Sequence, residues 1–282
     1  MIAVSSNEAL STLDELSDAE PEDAEPTQLG RATLPPWVIA SLDFQTHPRS
    51  LHVVGIRREN RALFHRLSAV DDPAERGRVF DEYMNVKFYL HDWQDHESSA
   101  RQSLKNSYLR FLRGWGVDSG SIEGAVLKGW VESRFGIRPR YHRAPIEPGT
   151  RSYLPFARDR MLGHARTNAI DSQLDLLFEF CQYELRRRKQ PRFLLYRGTY
   201  DAEQHRIGTR YDKRDYVVVM NNLCSFTANH ERAWEFGSTV WQVEVPAQRV
   251  FYFPDLLPRS VLGGEEEYLV FGGEHRVTEL TA

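Results

Sequence analysis

The 282-residue sequence has only two cysteines, Cys181 and Cys224, and neither belongs to a Cys-x-x-Cys motif. So few cysteines argue against a disulfide framework and indicate a reducing compartment. The first residues, MIAVSSNEAL, lack the basic start and apolar run of a signal peptide. No stretch approaches the roughly 18 apolar residues of a membrane span. We therefore expect a cytoplasmic protein without a membrane span.

The motifs of the common nucleotide-binding and hydrolase folds are also missing. No GxGxxG, GxxxxGK[ST], HExxH, GxSxG or kinase signature occurs. The segment HDWQDH brings His91, Asp92, Asp95 and His96 close together, but histidines at i and i+5 do not share a helix face. We interpret the segment as a solvated or locally hydrogen-bonded face, and we expect no intrinsic metal.

Basic residues are absent from positions 1–30, which hold eight acidic residues. The remaining 32 acidic residues stand against 36 basic ones, so residues 31–282 carry about +4. Residues 1–33 are acidic and poor in large apolar side chains, which predicts a disordered tail, to which we assign no role. The mildly basic body suits an acidic protein partner better than nucleic acid, which would require a denser basic stripe.

Helical periodicity dominates residues 34–190. Asp72, followed by Pro73 at a first helical position, predicts a capped helix start. Apolar residues at helical spacing over about 97–113 predict a further helix, which the GWG beginning at Gly114 should end.

The clearest helical pattern is SQLDLLFEFCQYELRRRKQP, with apolar residues at i, i+3, i+4, i+7 and i+11. Asp171 and Ser172 should cap its start, and Pro191 should end it. The basic residues before Pro191 suit the negative end of the helix dipole.

After Pro191 the period changes from 3.6 to 2. Short β-branched and aromatic runs predict six strands, RFLLYR, YVVVM, STVWQVEV, RVFYF, EYLVF and RVTEL, with one helix at HERAWEF. A block of helices before six close strands predicts an α+β fold with a mixed or antiparallel sheet. We divide the chain into the tail 1–33, a helical region 34–190 and a β-rich region 191–282, the last two forming one compact unit.

Polar side chains interrupt the β-rich region at three places. Arg197 ends FLLYRG, where a guanidinium could hold phosphate and Gly198 could let a ligand approach the backbone. Ser225 and Thr227 stand two apart at a strand end, and Thr227 or Asn229 should cap the helix HERAWEF. Taken singly, a solvated strand-end arginine and ordinary helix capping explain these residues.

The third place is the run of glutamates in GGEEEYLVFGG. In a strand, Glu265 and Glu267 would project to one face and Glu266 to the other. Two carboxylates on one face repel each other, and one could have a raised pKa. A solvated cluster of edge charges is the alternative explanation.

The three places occur in a fixed order: YRG at 196–198, SFT at 225–227 and EEE at 265–267. Together they resemble the Arg, Ser-x-[Ser/Thr] and Glu-x-Glu signature of the ADP-ribosyltransferases. Upstream, LDFQTHPRSLHVVGIRRENRALFHRL and ERGRVFDEYMNVKFYLHDW resemble the bacterial NAD⁺–dinitrogenase reductase ADP-ribosyltransferases. The resemblance runs from about residue 34 to the C-terminus. It implies an enzyme that uses NAD⁺ as a substrate and transfers ADP-ribose to a protein arginine.

The resemblance also implies roles for the motif residues. Glu267 would stabilise the oxocarbenium-like transition state, in which positive charge develops on the ribose. Glu265 would orient the acceptor guanidinium and take up its proton. Ser225 would orient Glu267, and Thr227 would brace the strand end.

The remaining implied contacts concern NAD⁺ itself. Arg197 would contact the phosphates, and the Gly198 backbone would hold the nicotinamide amide. An aromatic ring should stack on nicotinamide, and we expect Phe236, with Tyr200 as the rival.

By the same resemblance, the protein substrate is dinitrogenase reductase in its ADP-bound form, whose modification switches nitrogen fixation off, and a PII-type signalling protein is the regulator. We expect residues 34–190 to recognise both. Three alternatives remain open: an ADP-ribosyltransferase for another protein, an RNA 2′-phosphotransferase, and a non-catalytic binding module of the same fold.

The face assignment of the glutamates gives a prediction. Glu266→Gln should retain NAD⁺ cleavage, while Glu267→Gln should lose it, because only Glu267 would face the ribose. Nicotinamide release by the two purified variants measures this. Equal losses would mean that the strand register is wrong.

Overall fold

The computed structural model describes residues 30–90, 107–147, 149–165, 167, 169–200, 205–258 and 266–280. Within these ranges, no helix is long and apolar enough to cross a membrane. The helices are α1 Pro36–Ile39, α2 Leu42–Thr46, α3 Ile56–Glu59, α4 Arg61–Ser68, α5 Pro73–Lys87, α6 Tyr108–Val117, α7 Ile122–Phe135, α8 Tyr153–His164, α9 Ile170–Arg187 and α10 His230–Ala233, with 3-10 turns at Trp234–Phe236 and Ala247–Arg249.

The strands fall into a hairpin and a larger sheet. They are β1 Tyr141–His142, β2 Ala144–Pro145, β3 Arg192–Thr199, β4 Arg206–Arg210, β5 Asp215–Thr227, β6 Thr239–Pro246, β7 Val250–Tyr252 and β8 Glu267–Leu280. In the part of the chain that the structure describes, β3 to β8 form one antiparallel sheet in the order β4-β5-β3-β6-β8-β7, and β5 also pairs with β8. The predicted α+β fold is confirmed.

The helix starts and ends test the local sequence signals. The Asp72 carboxylate accepts from the backbone N–H groups of Ala74 and Glu75, so the predicted cap of α5 is confirmed. The predicted cap of α9 is wrong, because Asp171 lies inside the first turn and its carboxylate pairs with His164 Nε2 at 3.0 Å. A non-helical turn at Ala169, with φ at 50°, precedes the helix instead.

The glycines in GWG do not end their helix, because α6 continues to Val117. Gly114 lies against α7, and a Cβ added there would be 2.5 Å from Glu123 Cβ. The residue is therefore glycine because the two helices approach closely. The predicted residues 97–106 of this helix lie outside the described ranges, as do residues 91–96 and the tail 1–29.

The strand prediction was wrong in two respects. EYLVF and RVTEL belong to a single strand, β8, that continues through Gly272 and Gly273, and β4 was not predicted. The glycine pair indicated a turn, but Gly272 lies opposite a β-bulge in β5. There the register passes from Met220↔Gly273 to Leu223↔Phe271, so two residues of β5 face one residue of β8.

The bulge attaches the helical region to the sheet. Asn222 Nδ2 donates to the carbonyls of Lys128 at 2.8 Å and Ile137 at 3.0 Å. Asn221 Nδ2 donates to the Tyr141 carbonyl at 2.9 Å, and its Oδ1 accepts from the Arg140 N–H. Because an unsatisfied buried amide is costly, these bonds fix β5 against α7 and the segment that follows it.

One hydrophobic core contains side chains of both the helices and the sheet. At its centre, Trp130 and Phe135 of α7 and Phe178 of α9 pack against Phe251 of β7 and Phe271 of β8, with ring centroids 4.4–6.3 Å apart. Each such ring buries a large apolar area, so these contacts hold the helices against the sheet. The division of the chain near residue 190 stays a prediction.

The bulge gives a stability prediction. A Cβ at Gly272 would lie 1.6 Å from the Asn221 carbonyl oxygen, so Gly272→Ala must displace one of two paired strands. We expect a loss of about 3 kcal/mol in the free energy of unfolding, measured by urea denaturation. Gly208→Ala in β4 is the control, because its Cβ would make only ordinary contacts, 3.4 Å or more away. Equal losses in both variants would contradict the close-approach explanation.

Candidate active site

The ends of β3, β5 and β8 meet at a cavity of about 360 Å³. Its walls also include the end of α6 with the loop that follows, and the 3-10 turn after α10. The lining residues are 115–119, 196–200, 225–227, Phe236 and Glu267. The cavity therefore brings together the predicted site residues that lie in the described ranges: Arg197, Gly198, Ser225, Thr227, Phe236 and Glu267.

The pairing of β5 with β8 places the serine next to the glutamate. Thr227 lies opposite Glu267 and Ser225 opposite Leu269, so Ser225 and Glu267 are diagonal neighbours across the ladder. The Ser225 hydroxyl donates to Glu267 Oε1 through a short hydrogen bond. Glu267 is buried, and this bond compensates part of the cost of removing its carboxylate from water. The contact is the one that the predicted role of Ser225 requires.

Arg197 reaches the same place from β3. Its Nη1 donates to the Ser225 carbonyl at 2.8 Å, and its Nη2 lies 3.5 Å from His205 Nε2. The guanidinium lines the cavity and is half-buried. Its planar fork is suited to phosphate oxygens, as the predicted contact with NAD⁺ requires.

Gly198 and Gly237 allow two backbone segments to touch. A Cβ at Gly198 would lie 2.0 Å from the Ala233 carbonyl oxygen, and one at Gly237 would lie 2.1 Å from the Thr199 nitrogen. Packing of β3 against the turn after α10 therefore explains why both positions are occupied by glycine. The predicted contact between the Gly198 backbone and nicotinamide stays a prediction.

Thr227 and Asn229 build the turn from β5 into α10. Thr227 Oγ1 accepts from the Asn229 N–H at 3.1 Å, and Asn229 Oδ1 accepts from the Arg232 N–H as the cap of α10. Beyond this helix Phe236 lies at the cavity, half-exposed, and Tyr200 lines the cavity with still greater exposure. Both rings are therefore accessible to a ligand, and the choice between them stays open.

The glutamate run is only partly described. β8 begins at Glu267, and Glu266 before it is exposed with φ at 46°. This backbone is not extended, so strand alternation does not reach back beyond Glu267. Glu265 lies outside the described residues. Across the described ranges, no group of three or more His, Cys, Asp or Glu side chains could hold a metal ion.

The sequence did not identify two residues that contact the motif side chains. Trp115 was assigned to a helix core, yet its indole Nε1 donates to Ser225 Oγ at 2.8 Å. His205 lies against Arg197 and packs edge-on against Trp241. Neither residue had a signal of its own in the sequence, because the spacing of Trp115 fits a helix core and Gly114 beside it is explained by the close approach of α6 and α7.

Two buried basic side chains near Arg197, those of His205 and Lys128, have lowered pKa values. Burial, and to a smaller extent the charge of Arg197, lower the pKa of His205 to about 3. Burial also lowers the pKa of Lys128, whose ammonium lies 5.6 Å from the Trp115 ring centroid, to about 8. A neutral histidine beside an arginine leaves the positive charge of Arg197 available to an anionic ligand.

An arginine, a Ser-x-Thr pair and a buried glutamate converge from three strands on one cavity, which is the arrangement that the resemblance to the NAD-dependent ADP-ribosyltransferases implies. Residues 29–279 match the model of the family described as dinitrogenase reductase ADP-ribosyltransferase (DRAT). The chain is 41% identical over 252 residues, covering 86% of this chain and 91% of its relative, to a Rhodospirillum rubrum protein named NAD(+)–dinitrogen-reductase ADP-D-ribosyltransferase. The chain therefore belongs to the dinitrogenase reductase ADP-ribosyltransferase family. No solved structure matches it significantly.

The lowered pKa of His205 predicts a dependence of stability on pH. As the pH falls below 6.5, the unfolded chain binds a proton that folded His205 does not bind, so the folded state loses stability. Between pH 7 and pH 5 this residue should account for about 2 kcal/mol. His205→Gln should lose that much less stability over the interval in urea denaturation. His65→Gln, at an exposed histidine, is the control, and parallel losses in wild type and His205→Gln would contradict the prediction.

Proposed function

We propose that this enzyme transfers ADP-ribose from NAD⁺ to an arginine of dinitrogenase reductase, which inactivates the reductase and switches off nitrogen fixation. Membership of the family and the name of the Rhodospirillum rubrum relative support the substrate. The observation that carries the chemistry is the hydrogen bond from Ser225 to buried Glu267, in the cavity that Arg197 also lines.

The first step breaks the bond between nicotinamide and ribose. The bonding electrons leave with the nicotinamide nitrogen, and positive charge develops on the ribose carbon and ring oxygen. In our proposal Glu267 is the carboxylate that stabilises this charge, and Ser225 keeps it in place before the reaction begins. A fixed carboxylate in a site with little water stabilises the transition state without the cost of reorganising solvent.

Binding of NAD⁺ is assigned to the other walls of the cavity. Arg197 would pair with the phosphates, because its half-buried guanidinium lines the cavity and contacts the Ser225 carbonyl and His205 Nε2. Phe236 would stack on nicotinamide, with Tyr200 as the alternative, because both present a ring surface to the same cavity. The Gly198 backbone would bind the nicotinamide amide, and Thr227 would hold the end of β5.

The second step joins the ribose carbon to a guanidinium nitrogen of the acceptor arginine, which must lose a proton as the bond forms. We assign this proton to Glu265, as the Glu-x-Glu order implies. The end of α6 and the loop after it, residues 115–119, form the wall of the cavity that comes from the helical region, which supports the proposal that this region recognises the acceptor protein. A preference for the ADP-bound reductase, regulation by a PII-type protein and a cytoplasmic location are proposed on the family resemblance and the sequence.

The experiment is transfer of label from NAD⁺ that is labelled in its adenylate portion. The purified enzyme is mixed with MgADP-loaded dinitrogenase reductase, beside Glu267→Gln and the matched variant Glu266→Gln. We expect label on the reductase, a loss of about 10²–10³-fold in rate for Glu267→Gln, and near wild-type transfer for Glu266→Gln. The two substitutions remove the same charge from neighbouring residues, so the difference between them reports on position.

The other outcomes separate the parts of the proposal. Release of nicotinamide that Glu267→Gln abolishes, without label on the reductase, would retain the reaction and reject the protein substrate. Neither release nor transfer by the folded wild-type protein would reject the enzymatic function and favour a binding module of the same fold.

A further inference from the structure

Trp115 connects the helical region to the strands that carry Ser225 and Glu267. Its side chain is only 3% exposed, and its indole Nε1 donates to Ser225 Oγ at 2.8 Å. We propose that Trp115 is a positioning residue for ADP-ribosyl transfer, which acts on Glu267 through the Ser225 hydroxyl. The inference rests on the proposed function of this site.

The direction of the hydrogen bonds follows from the chemistry of the donors. An indole N–H can donate but cannot accept, whereas a serine hydroxyl carries one proton and also accepts at its lone pairs. Because Ser225 Oγ accepts from Trp115, its own proton is directed to Glu267 Oε1. Without the indole N–H, the hydroxyl would be held by Glu267 alone, so the carboxylate would lose a fixed point of attachment.

Ser225 holds the arginine as well as the glutamate. Its carbonyl accepts from Arg197 Nη1 at 2.8 Å, while its hydroxyl bonds to Glu267. The two charged groups of the proposed site are therefore attached to one residue, Arg197 to its carbonyl and Glu267 to its hydroxyl. A tryptophan that fixes the Ser225 side chain thereby fixes the glutamate relative to the arginine.

Trp115 is itself held by buried groups. The ammonium of Lys128 lies 5.6 Å from the centroid of the indole ring, close enough for a cation–π interaction. Lys128 Nζ also donates to the Ser119 carbonyl at 2.9 Å and the Tyr141 carbonyl at 3.1 Å, and its own carbonyl accepts from Asn222 of the bulge. The indole is thus connected to β5 twice, directly through Ser225 and indirectly through Lys128 and Asn222. These contacts fix the orientation of its N–H.

Core packing is the competing explanation, because Trp115 follows Phe111 and Leu112 at helical spacing and all three are buried. Trp130 of α7 provides the comparison. It is also buried, and its indole Nε1 donates to Asp175 Oδ1 at the same distance of 2.8 Å, but it does not line the cavity. Loss of an indole N–H can therefore be tested at the site and away from it in one protein.

The test removes the Trp115 N–H in two ways. Trp115→Phe removes it with part of the ring, and replacement of Trp115 by benzothienylalanine puts sulfur in its place and keeps the shape. We expect kcat for NAD⁺ cleavage to fall roughly tenfold in both, equivalent to about 1.4 kcal/mol. KM for NAD⁺ should stay within about threefold of wild type, because the lost interaction acts mainly in the transition state.

A double-mutant cycle distinguishes positioning from packing. In a Ser225→Ala background, either change at Trp115 should alter kcat by less than about twofold, because its route to Glu267 is already removed. Trp130→Phe should lower the melting temperature, leave kcat near the wild-type value, and combine with Ser225→Ala without coupling.

If the wild-type enzyme is active, either of two results would overturn the inference. One is a wild-type kcat in the benzothienylalanine protein. The other is a double variant at Trp115 and Ser225 whose fold-loss in kcat equals the product of the two single losses. Wild-type protein that neither cleaves NAD⁺ nor transfers ADP-ribose would instead reject the proposed function, and the inference with it. The wild-type measurement therefore separates failure of the proposed function from failure of this inference alone.

Discussion

The pairing of β5 with β8 is the constraint on which the site depends. Because side chains alternate along a strand, a slip of one residue in this register would turn Ser225 away from Glu267. The bulge at Asn221 and Asn222 pins the register, since those two amides bond to the helical region and the β5 backbone rests against Gly272. The interaction that attaches the helices to the sheet therefore also sets the geometry of the proposed catalytic pair.

A buried carboxylate is costly unless it is hydrogen-bonded, and the chain of hydrogen bonds that ends at Glu267 includes groups from both parts of the fold. Ser225 belongs to the sheet, whereas the indole that bonds to Ser225 belongs to α6. The helical region, which we propose as the recognition region, thus contributes to the interior of the site as well. Trp115 belongs both to α6 and to the wall of the cavity.

Signals that act within a few residues could be predicted from the sequence: the Asp72 cap of α5, and a cap of α10 at Thr227 or Asn229, of which the structure has Asn229. Contacts between distant segments could not. Gly272 and Gly273 indicate a turn unless the bulge opposite them is known, and the spacing of Trp115 fits a helix core equally well. The role of His205 follows only from its contacts with Arg197 of β3 and Trp241 of β6.

Burial divides the cavity into two parts with different physical tasks. Glu267 and Trp115 are buried, while Val117, Tyr200 and Phe236 line the same cavity with large exposed fractions of 89, 76 and 47%. Interactions that stabilise developing charge gain most where water is excluded, so the buried part is suited to transition-state stabilisation. Exposed apolar groups gain most when a ligand or partner covers them. The exposed rim is therefore the part of the cavity where covering by a ligand or partner would remove most apolar surface from water, and it is separate from the hydrogen bonds that hold Glu267.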